Sequence, residues 1–363
     1  MKSVFILIIL TTLVSGKIFE DFPPIKNRVV PNGKYQILSF YDRLKDIKKA
    51  VVNIATTKRV PVAVTMEEYM LSQLYGIPPR YRTKRENYAL GSGVIVTKSG
   101  FIITNQHVIE GADEIFVTLE DDKKTYKAML IGTDAQTDIA VIKIKGKNFP
   151  YARFGDSKKL RVGDIVFAIG NPFGLGESVS MGIVSALNKT KIGINRYENF
   201  IQTDASINPG NSGGALVDSR GALIGINSAI FSKSGGNDGI GFTIPSNMVK
   251  TIARKLIKYG KINRGIIGIS IGDLQDSYKK FYKNHQGVIV FDVQQGLPAY
   301  NSGIKRGDLI VKINDDKVKD SIDFQNKMAL YQTGDRVKIT FERDGKLYQT
   351  EVTLTNPYYG YYR

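Results

Sequence analysis

The sequence predicts a mainly β protein that ends in a smaller α/β unit, and three features lead to this prediction. From Gly91 onward, about a dozen short apolar or alternating runs, such as GVIVT, FIITN and DIAVIKI, are separated by turn residues. Runs this short and closely spaced are typical of β-barrels or sandwiches and not of βαβ units. One amphipathic helix follows them, and beyond it further strands and a helix form the second unit.

The helix is predicted over residues 246–259, and the boundary between the two units is expected near residues 260–264. Its apolar residues form one stripe with the spacing i, i+3, i+4, i+7 and i+8: Val249, Ile252, Ala253, Leu256 and Ile257. Ser246 is predicted to be the N-cap of this helix, and Gly260 is expected to end it.

The unit beyond the boundary, residues 265–355, has an α/β pattern. GVIVFDV and DLIVKIN are predicted to be strands, DSIDFQNKMALY a helix, and RVKITFERDGKLYQTEVTL a hairpin that turns at Asp344-Gly345. The tail, residues 356–363, is aromatic and basic.

The chain before Gly91 begins with a predicted amphipathic helix. From about Gln36 to Val51 this helix is expected to run into the strand VVNIATT. Residues 58–90 are interrupted by prolines and are predicted to form a long loop.

Composition excludes several classes of chemistry. The chain has 363 residues, no cysteine, and only two histidines, His107 and His285. Disulfides, thiol catalysis and metal sites rich in cysteine or histidine are therefore excluded, and no metal or other cofactor is predicted. The net charge of +17 is spread along the chain without a compact basic run that alternates with aromatics. We therefore expect a solvated basic surface and no nucleic-acid partner.

The N-terminus has the three parts of a secretory signal. A positive start is followed by the apolar run Val4–Val14 and by the small residue Gly16. The run is shorter than the roughly 20 residues that span a bilayer. Residues 1–16 are therefore predicted to be a signal peptide, which makes export the expected fate and a permanent anchor the less favoured one.

The stretch SINPGNSGGAL contains the pattern G-x-S-x-G around Ser212. In α/β-hydrolases this pattern requires a helix directly after the serine and a histidine further along the chain. Here a hairpin pattern follows, and the only later histidine, His285, lies in the second unit. The stretch is therefore not expected to be a nucleophile elbow.

With the elbow set aside, the remaining possibility is a catalytic serine preceded in the chain by its histidine and its aspartate. The candidates in this order are His107, Asp138 and Ser212, and the first two lie at predicted strand ends. A serine hydroxyl needs a base to become a nucleophile, an imidazole can take and return that proton, and a carboxylate can orient the imidazole. Gly210 lets the backbone turn so that its N–H and that of Ser212 can bind one developing oxyanion. These residues are the predicted catalytic site.

Five blocks of sequence, in order, resemble the HtrA/Deg serine proteases: FIITNQHVIEGA, TDIAVIKI, AIGNPFGLGESVSMGIVSAL, ENFIQTDASINPGNSGGALV and INSAIFSKSGGNDGIGFTIPSNM. The resemblance covers residues 36–355. It implies a chymotrypsin-like double β-barrel protease domain over residues 36–262, after an N-terminal segment 17–35, and one α/β PDZ domain over residues 265–355. It assigns His107 as general base, Asp138 as its partner, Ser212 as nucleophile, and the Gly210 and Ser212 amides as oxyanion hole.

The resemblance also implies binding sites for peptides. The substrate backbone and a pocket for small aliphatic residues are expected along one strand: Ile226, Asn227, Ser228, Ala229 and Ile230. The PDZ domain is expected to bind hydrophobic C-termini at a loop and edge strand: Ile266, Ile267, Gly268 and Ile269. Residues 188–197 match the loop that senses activation in this family.

The family further implies an ATP-independent endopeptidase that degrades unfolded or misfolded proteins in the periplasm, as a homotrimer or a multiple of trimers. The apolar segments Phe19–Phe22 and Ile37–Tyr41 are the expected trimer contacts. Two alternatives stay open: an anchored stress-sensor protease with one specific substrate, and a holdase chaperone that depends on its PDZ domain.

Overall fold

The computed structural model describes residues 18–23, 39–62, 64–76, 82–120, 123–172, 176–230 and 238–356. Within these ranges the chain forms two closed six-stranded barrels and a separate sheet. The predicted mainly β class and the double barrel are confirmed. The predicted signal peptide, residues 1–16, and nearly all of the tail lie outside the described residues.

The first barrel has the strand order β1-β2-β3-β6-β5-β4. Its helices are short, and α1 leads into the barrel as the sequence predicts. The elements are α1 (Tyr41–Lys48), β1 (Val51–Val62), α2 (Met66–Tyr75), β2 (Arg82–Ile95), β3 (Phe101–Thr104), α3 (Gln106–Ile109), β4 (Glu114–Thr118), β5 (Thr125–Asp134) and β6 (Ile139–Ile144).

The prediction of a loop over residues 58–90 is wrong. The β1–β2 ladder continues through this region to the pair Val62↔Arg82, and α2 lies between the two strands. Beyond Thr57, β2 is the only described strand that pairs with β1, so the proline at position 61 lies at the edge of the described sheet, where a missing N–H is tolerated. A capping box starts α2, because Thr65 and Glu68 bond each other's backbone N–H.

The second barrel has the order β10-β11-β12-β9-β8-β7, and a long helix follows it. Its elements are β7 (Ile165–Gly170), β8 (Ser178–Lys189), β9 (Phe200–Thr203), β10 (Ala215–Asp218), β11 (Leu223–Ile230), β12 (Gly241–Pro245) and α4 (Ser246–Tyr259).

The α4 stripe packs into the main core, where Val249, Ile252 and Leu256 are fully buried. Gly260 ends the helix in the left-handed conformation, as predicted. The prediction of Ser246 as N-cap is wrong, because Pro245 holds that position. The Ser246 hydroxyl instead donates to Gly155 O at 2.8 Å, which ties the helix to the barrel.

The C-terminal unit is a sheet of order β13-β14-β15-β17-β18, with β16 paired to β15. The predicted strands, helix and hairpin are all present, and Asp344-Gly345 forms the turn. The elements are β13 (Ile269–Asp273), α5 (Asp276–Lys279), β14 (Val288–Val293), α6 (Pro298–Asn301), β15 (Leu309–Ile313), β16 (Asp316–Lys317), α7 (Ser321–Met328), β17 (Arg336–Arg343) and β18 (Lys346–Thr353).

Phe19, an expected trimer contact, is instead part of the core of its own chain. It is fully buried and its ring lies 5.2 Å from that of Phe154. Phe19 is therefore unavailable for a partner. Among the described residues, no helix is long and apolar enough to cross a membrane.

Glu342 gives the C-terminal unit a pH-dependent source of stability. The residue is 1% exposed, and its carboxylate accepts the N–H of Lys283 at 2.6 Å and that of Asn284 at 2.9 Å. Burial works to raise the pKa of Glu342, but these hydrogen bonds outweigh burial and hold the pKa below its usual value. The carboxylate therefore stabilises the fold above the pKa of an unfolded glutamate, about 4.3, and loses this effect as the pH falls through its folded pKa.

Glu342→Gln is expected to lower the free energy of unfolding at pH 7 by about 1–3 kcal/mol, because the amide presents an NH₂ group to a backbone donor. The loss should shrink as the pH falls below about 4.3. Urea unfolding across this pH range measures it, with the exposed Glu351→Gln as control. A loss that does not change with pH would contradict this explanation.

Candidate active site

His107 and Asp138 lie side by side at one end of the first barrel. β3 and β6 are antiparallel neighbours paired at Thr104↔Ala140, so the end of β3 and the start of β6 lie at the same edge. His107 Nδ1 lies 2.8 Å from Asp138 Oδ2, and the His107 backbone N–H donates to Asp138 Oδ1 at 3.0 Å. Because an ionised carboxylate only accepts, Nδ1 carries the proton and Nε2 of a neutral ring is the free base.

The backbone around Asp138 is held in an uncommon conformation. Its φ is +57°, and its carbonyl accepts hydrogen bonds from Asn105 Nδ2 at 3.0 Å and from the N–H of Gln106 at 3.2 Å. The Asp138 side chain is 8% exposed, whereas that of His107 is 46% exposed. The site therefore combines a buried, fixed carboxylate with an accessible imidazole.

Ser212 lies on the turn between β9 and β10 of the second barrel, and its backbone is joined to the first. Its carbonyl accepts the N–H of Ser92 on β2 at 2.8 Å. Its hydroxyl donates to the carbonyl of Ser228 at 3.2 Å, and among the described residues no hydrogen bond joins it to His107. Ser212 is therefore present at the seam of the barrels, with its proton directed away from the imidazole.

Ser228 connects two of the three predicted residues, Asp138 and Ser212. The β11–β12 register shifts between Asn227 and Ala229, so Ser228 is the extra residue of a bulge. Its hydroxyl donates to Asp138 Oδ2 at 3.1 Å, while its carbonyl accepts from Ser212. Sequence reasoning assigned Ser228 to the substrate pocket and missed this contact, because a bulge leaves no clear mark in the alternation of residues.

Of the other residues in the expected substrate strand, the structure describes the side chains of two, Ile226 and Asn227. Ile226 and Asn227 are fully buried, and Asn227 Nδ2 donates to the carbonyl of Ala215 at 3.1 Å. The side chain of Ile226 is part of the core into which α4 packs, and neither side chain faces solvent. The side chains of Ala229 and Ile230 lie outside the described part of the chain.

Gly210 and Gly213 each occupy a position that only glycine fits. Their φ angles are +95° and +81°. A Cβ at Gly210 would lie 2.6 Å from Pro172 Cβ, and a Cβ at Gly213 would lie 2.1 Å from the carbonyl oxygen of Ser92. The N–H groups of Gly210 and Ser212 donate to no other described residue. Among the described residues, these two N–H groups are therefore free to donate to a bound group near the Ser212 hydroxyl.

The expected peptide groove of the C-terminal unit has an open strand edge. Within the described ranges β13 pairs only with β14, and α7 packs beside it. Ile267 and Gly268 lie in the loop before β13, where their carbonyls accept from Ala299 and Gln294 at 2.9 Å each. The N–H groups of Ile267 and Gly268 donate to no other residue in the described ranges. An edge strand with free amides at its start is suited to an added strand with a terminal carboxylate.

The expected sensor loop, residues 188–197, is joined to the C-terminal unit through the residue that follows it. Glu198, directly after it, accepts the N–H groups of Ile192 and Ile194 at 2.7 Å each. The Glu198 backbone N–H donates to Asn326 Oδ1 on α7 at 3.1 Å, and its carbonyl accepts from Asn326 Nδ2. One residue therefore holds the loop and joins it to the helix beside the expected peptide groove.

Paired six-stranded barrels that meet at a serine, a histidine and an aspartate are the construction of the trypsin-like peptidases, and this chain falls in that class. Residues 91–226 match the family model described as a trypsin-like peptidase domain. Residues 265–354 match the model of a PDZ domain.

Comparison with individual proteins narrows the class to a family. The chain is 45% identical over 280 residues to a probable periplasmic serine protease do/HhoA-like of Haemophilus influenzae. The matched region covers 76% of this chain and 60% of that protein. It is also 45% identical to the periplasmic pH-dependent serine endoprotease DegQ of Escherichia coli, over 73% of this chain and 59% of that protein. The chain thus spans about 60% of the length of these curated relatives.

A solved structure covers more of the chain. The HtrA-type protease AlgW with decapeptide matches with a TM-score of 0.68 and 38% identity, over 88% of this chain and 99% of that one. The chain therefore belongs to the HtrA-type serine proteases.

Proposed function

We propose that this protein is an ATP-independent serine endopeptidase in which Ser212 is the nucleophile, His107 the general base and Asp138 the residue that orients His107. The observation that carries the proposal is the contact between His107 Nδ1 and Asp138 Oδ2 beside the turn that bears Ser212. Asp138 fixes the tautomer that leaves Nε2 to accept a proton. The exposed imidazole leaves room for a peptide beside it.

The proposed reaction needs one local rearrangement. The Ser212 hydroxyl, now bonded to the carbonyl of Ser228, turns towards His107 Nε2 and attacks the scissile carbonyl. His107 takes its proton and returns it to the leaving amine. The free N–H groups of Gly210 and Ser212 bind the oxyanion that forms. Water then cleaves the acyl-enzyme by the same steps.

We further propose that the substrates are unfolded or misfolded proteins in the periplasm. The relatives above are named periplasmic serine proteases. The substrate segment is proposed to lie along residues 226–230, with a pocket for small aliphatic residues. A signal peptide at residues 1–16 would direct the chain to this compartment, where we expect a homotrimer or a multiple of trimers.

The PDZ domain is proposed to bind hydrophobic C-terminal peptides at Ile266, Ile267, Gly268 and Ile269 by strand addition. The free edge of β13 and the unbonded amides of Ile267 and Gly268 support this site. The Asn326–Glu198 contact supports control of the protease by the occupied groove.

Labelling with a fluorophosphonate probe tests the proposed chemistry, because such probes react with an activated serine. The folded protein is expected to take up one label, mapped by mass spectrometry of the digest to the segment SINPGNSGGAL. The heat-denatured protein is the control and should remain unlabelled. No labelling of the folded protein, even with a hydrophobic C-terminal peptide added, would support the holdase alternative instead.

A further inference from the structure

Ser92 is a fully buried residue of β2 that the reaction above does not use. Its hydroxyl donates to the carbonyl of Gly210 at 2.6 Å and accepts the N–H of Asn171 at 2.9 Å. Its backbone N–H donates to the carbonyl of Ser212, and its own carbonyl accepts from Thr104 Oγ1 at 2.7 Å. A single residue of the first barrel thus bonds both residues that carry the oxyanion-binding amides.

The Gly210 carbonyl depends on this contact. Among the described residues, Ser92 Oγ is the only donor to it. Glycine populates several regions of backbone conformation at little cost, so the peptide groups beside Gly210 can rotate unless a neighbour fixes them. Charge stabilisation requires donors already directed at the position of the oxyanion. The hydrogen bond from the Ser92 hydroxyl to the Gly210 carbonyl limits that rotation.

The Ser92 hydroxyl also fixes Asn171 and Pro172, the segment against which Gly210 packs. Ser92 bonds the N–H of Asn171, and Asn53 Nδ2 on β1 donates to the carbonyl of Asn171 at 3.0 Å. Pro172 follows directly, and its Cβ would lie 2.6 Å from a Cβ at Gly210. The first barrel therefore holds the segment against which Gly210 packs.

We propose that Ser92 is a positioning residue for oxyanion binding, which acts by fixing the Gly210 peptide and Pro172 through its hydroxyl. The inference rests on the proposed protease function and deepens it. Peptide binding along β11 involves none of these hydrogen bonds. The effect is therefore expected in the chemical step and not in substrate affinity.

Steady-state hydrolysis of a fluorogenic peptide by Ser92→Ala tests the proposal in the full chain. We expect kcat to fall about 10-fold, as for the loss of the hydrogen bond that fixes the Gly210 carbonyl, with KM nearly unchanged. The rate of fluorophosphonate labelling should fall by a similar factor, because that reaction uses the same oxyanion site.

The matched control is Ser246→Ala. Ser246 is equally buried and its hydroxyl also donates to one backbone carbonyl, that of Gly155. Both variants are expected to lower Tm, Ser92→Ala by more because it also removes the acceptor of the Asn171 N–H, and only Ser92→Ala should lower kcat. A lower Tm with kcat unchanged in both would show that Ser92 is only structural and overturn the inference. If Ser92→Ala fails to fold, Ser92→Cys fills the site with a slightly larger side chain and a weaker donor, and should show the same selective loss of kcat.

The outcomes separate this inference from the function on which it rests. An active wild type with an unimpaired Ser92→Ala variant overturns the inference alone. A wild type that neither reacts with the probe nor cleaves peptide overturns the proposed protease function, and the role of Ser92 with it.

Discussion

Ser212→Ala is expected to reduce kcat for peptide hydrolysis by about 10⁶-fold, because the acyl-enzyme of the proposed reaction forms on the Ser212 hydroxyl. The neighbouring serine, Ser228, cannot replace it, since the residue is 2% exposed and its hydroxyl donates to Asp138. The variant should fold normally, because the Ser212 hydroxyl that it lacks makes a single hydrogen bond, to the carbonyl of Ser228. Cleavage of casein and of a fluorogenic peptide provides the measurement.

Ser206→Ala is the matched control for this variant. Ser206 is an exposed serine six positions earlier in the same segment. Its replacement should leave kcat and Tm unchanged. Cleavage by Ser212→Ala at the wild-type rate would eliminate Ser212 as the nucleophile, whatever the control shows.

Asp138→Asn is expected to lower kcat by about 10⁴-fold with little change in structure. The backbone N–H of His107 donates to Oδ1, so the oxygen of an asparagine amide must occupy that position. Its NH₂ group then faces Nδ1 of His107, where Oδ2 now lies 2.8 Å away. Nδ1 must become the acceptor, and the ring proton moves to Nε2. An imidazole in this tautomer cannot take the proton of Ser212.

Ser228→Ala serves as the comparison, because it removes one hydrogen bond to Asp138 Oδ2 and keeps the carboxylate. Its kcat should fall far less than that of Asp138→Asn. Steady-state kinetics on both variants at one pH make the comparison. If the two variants lose activity equally, Asp138 does not act through the tautomer of His107.

Much of the fold can be predicted from the sequence, because the local signals agree with the tertiary structure. The alternating runs after Gly91 are the strands of the barrels, and the stripe of α4 is the face it buries. Asp344-Gly345 forms the predicted turn, because both residues adopt positive φ. Residues 58–90 are the exception. Their prolines suggested a loop, but a proline at a free strand edge costs little.

The candidate site is only partly predictable, for a different reason. Residue types and chain order select His107, Asp138 and Ser212 as candidates for hydrolysis. The contributions of Ser92 and Ser228 depend on hydrogen bonds to residues 118 and 90 positions away. No local pattern marks such a contact, because each serine by itself has the signature of an ordinary strand residue.

The sequence by itself thus determined the class of fold, the glycines that the turn around Ser212 requires, and the three residue types that peptide hydrolysis needs. Only the tertiary structure decided where the hydroxyls point. Ser212 donates to Ser228 and Ser92 donates to Gly210, since each hydroxyl turns to whichever carbonyl the closed barrels bring within reach. A hydroxyl rotates freely about its bond, so its partner is set by the packing of distant strands and not by its neighbours in the chain.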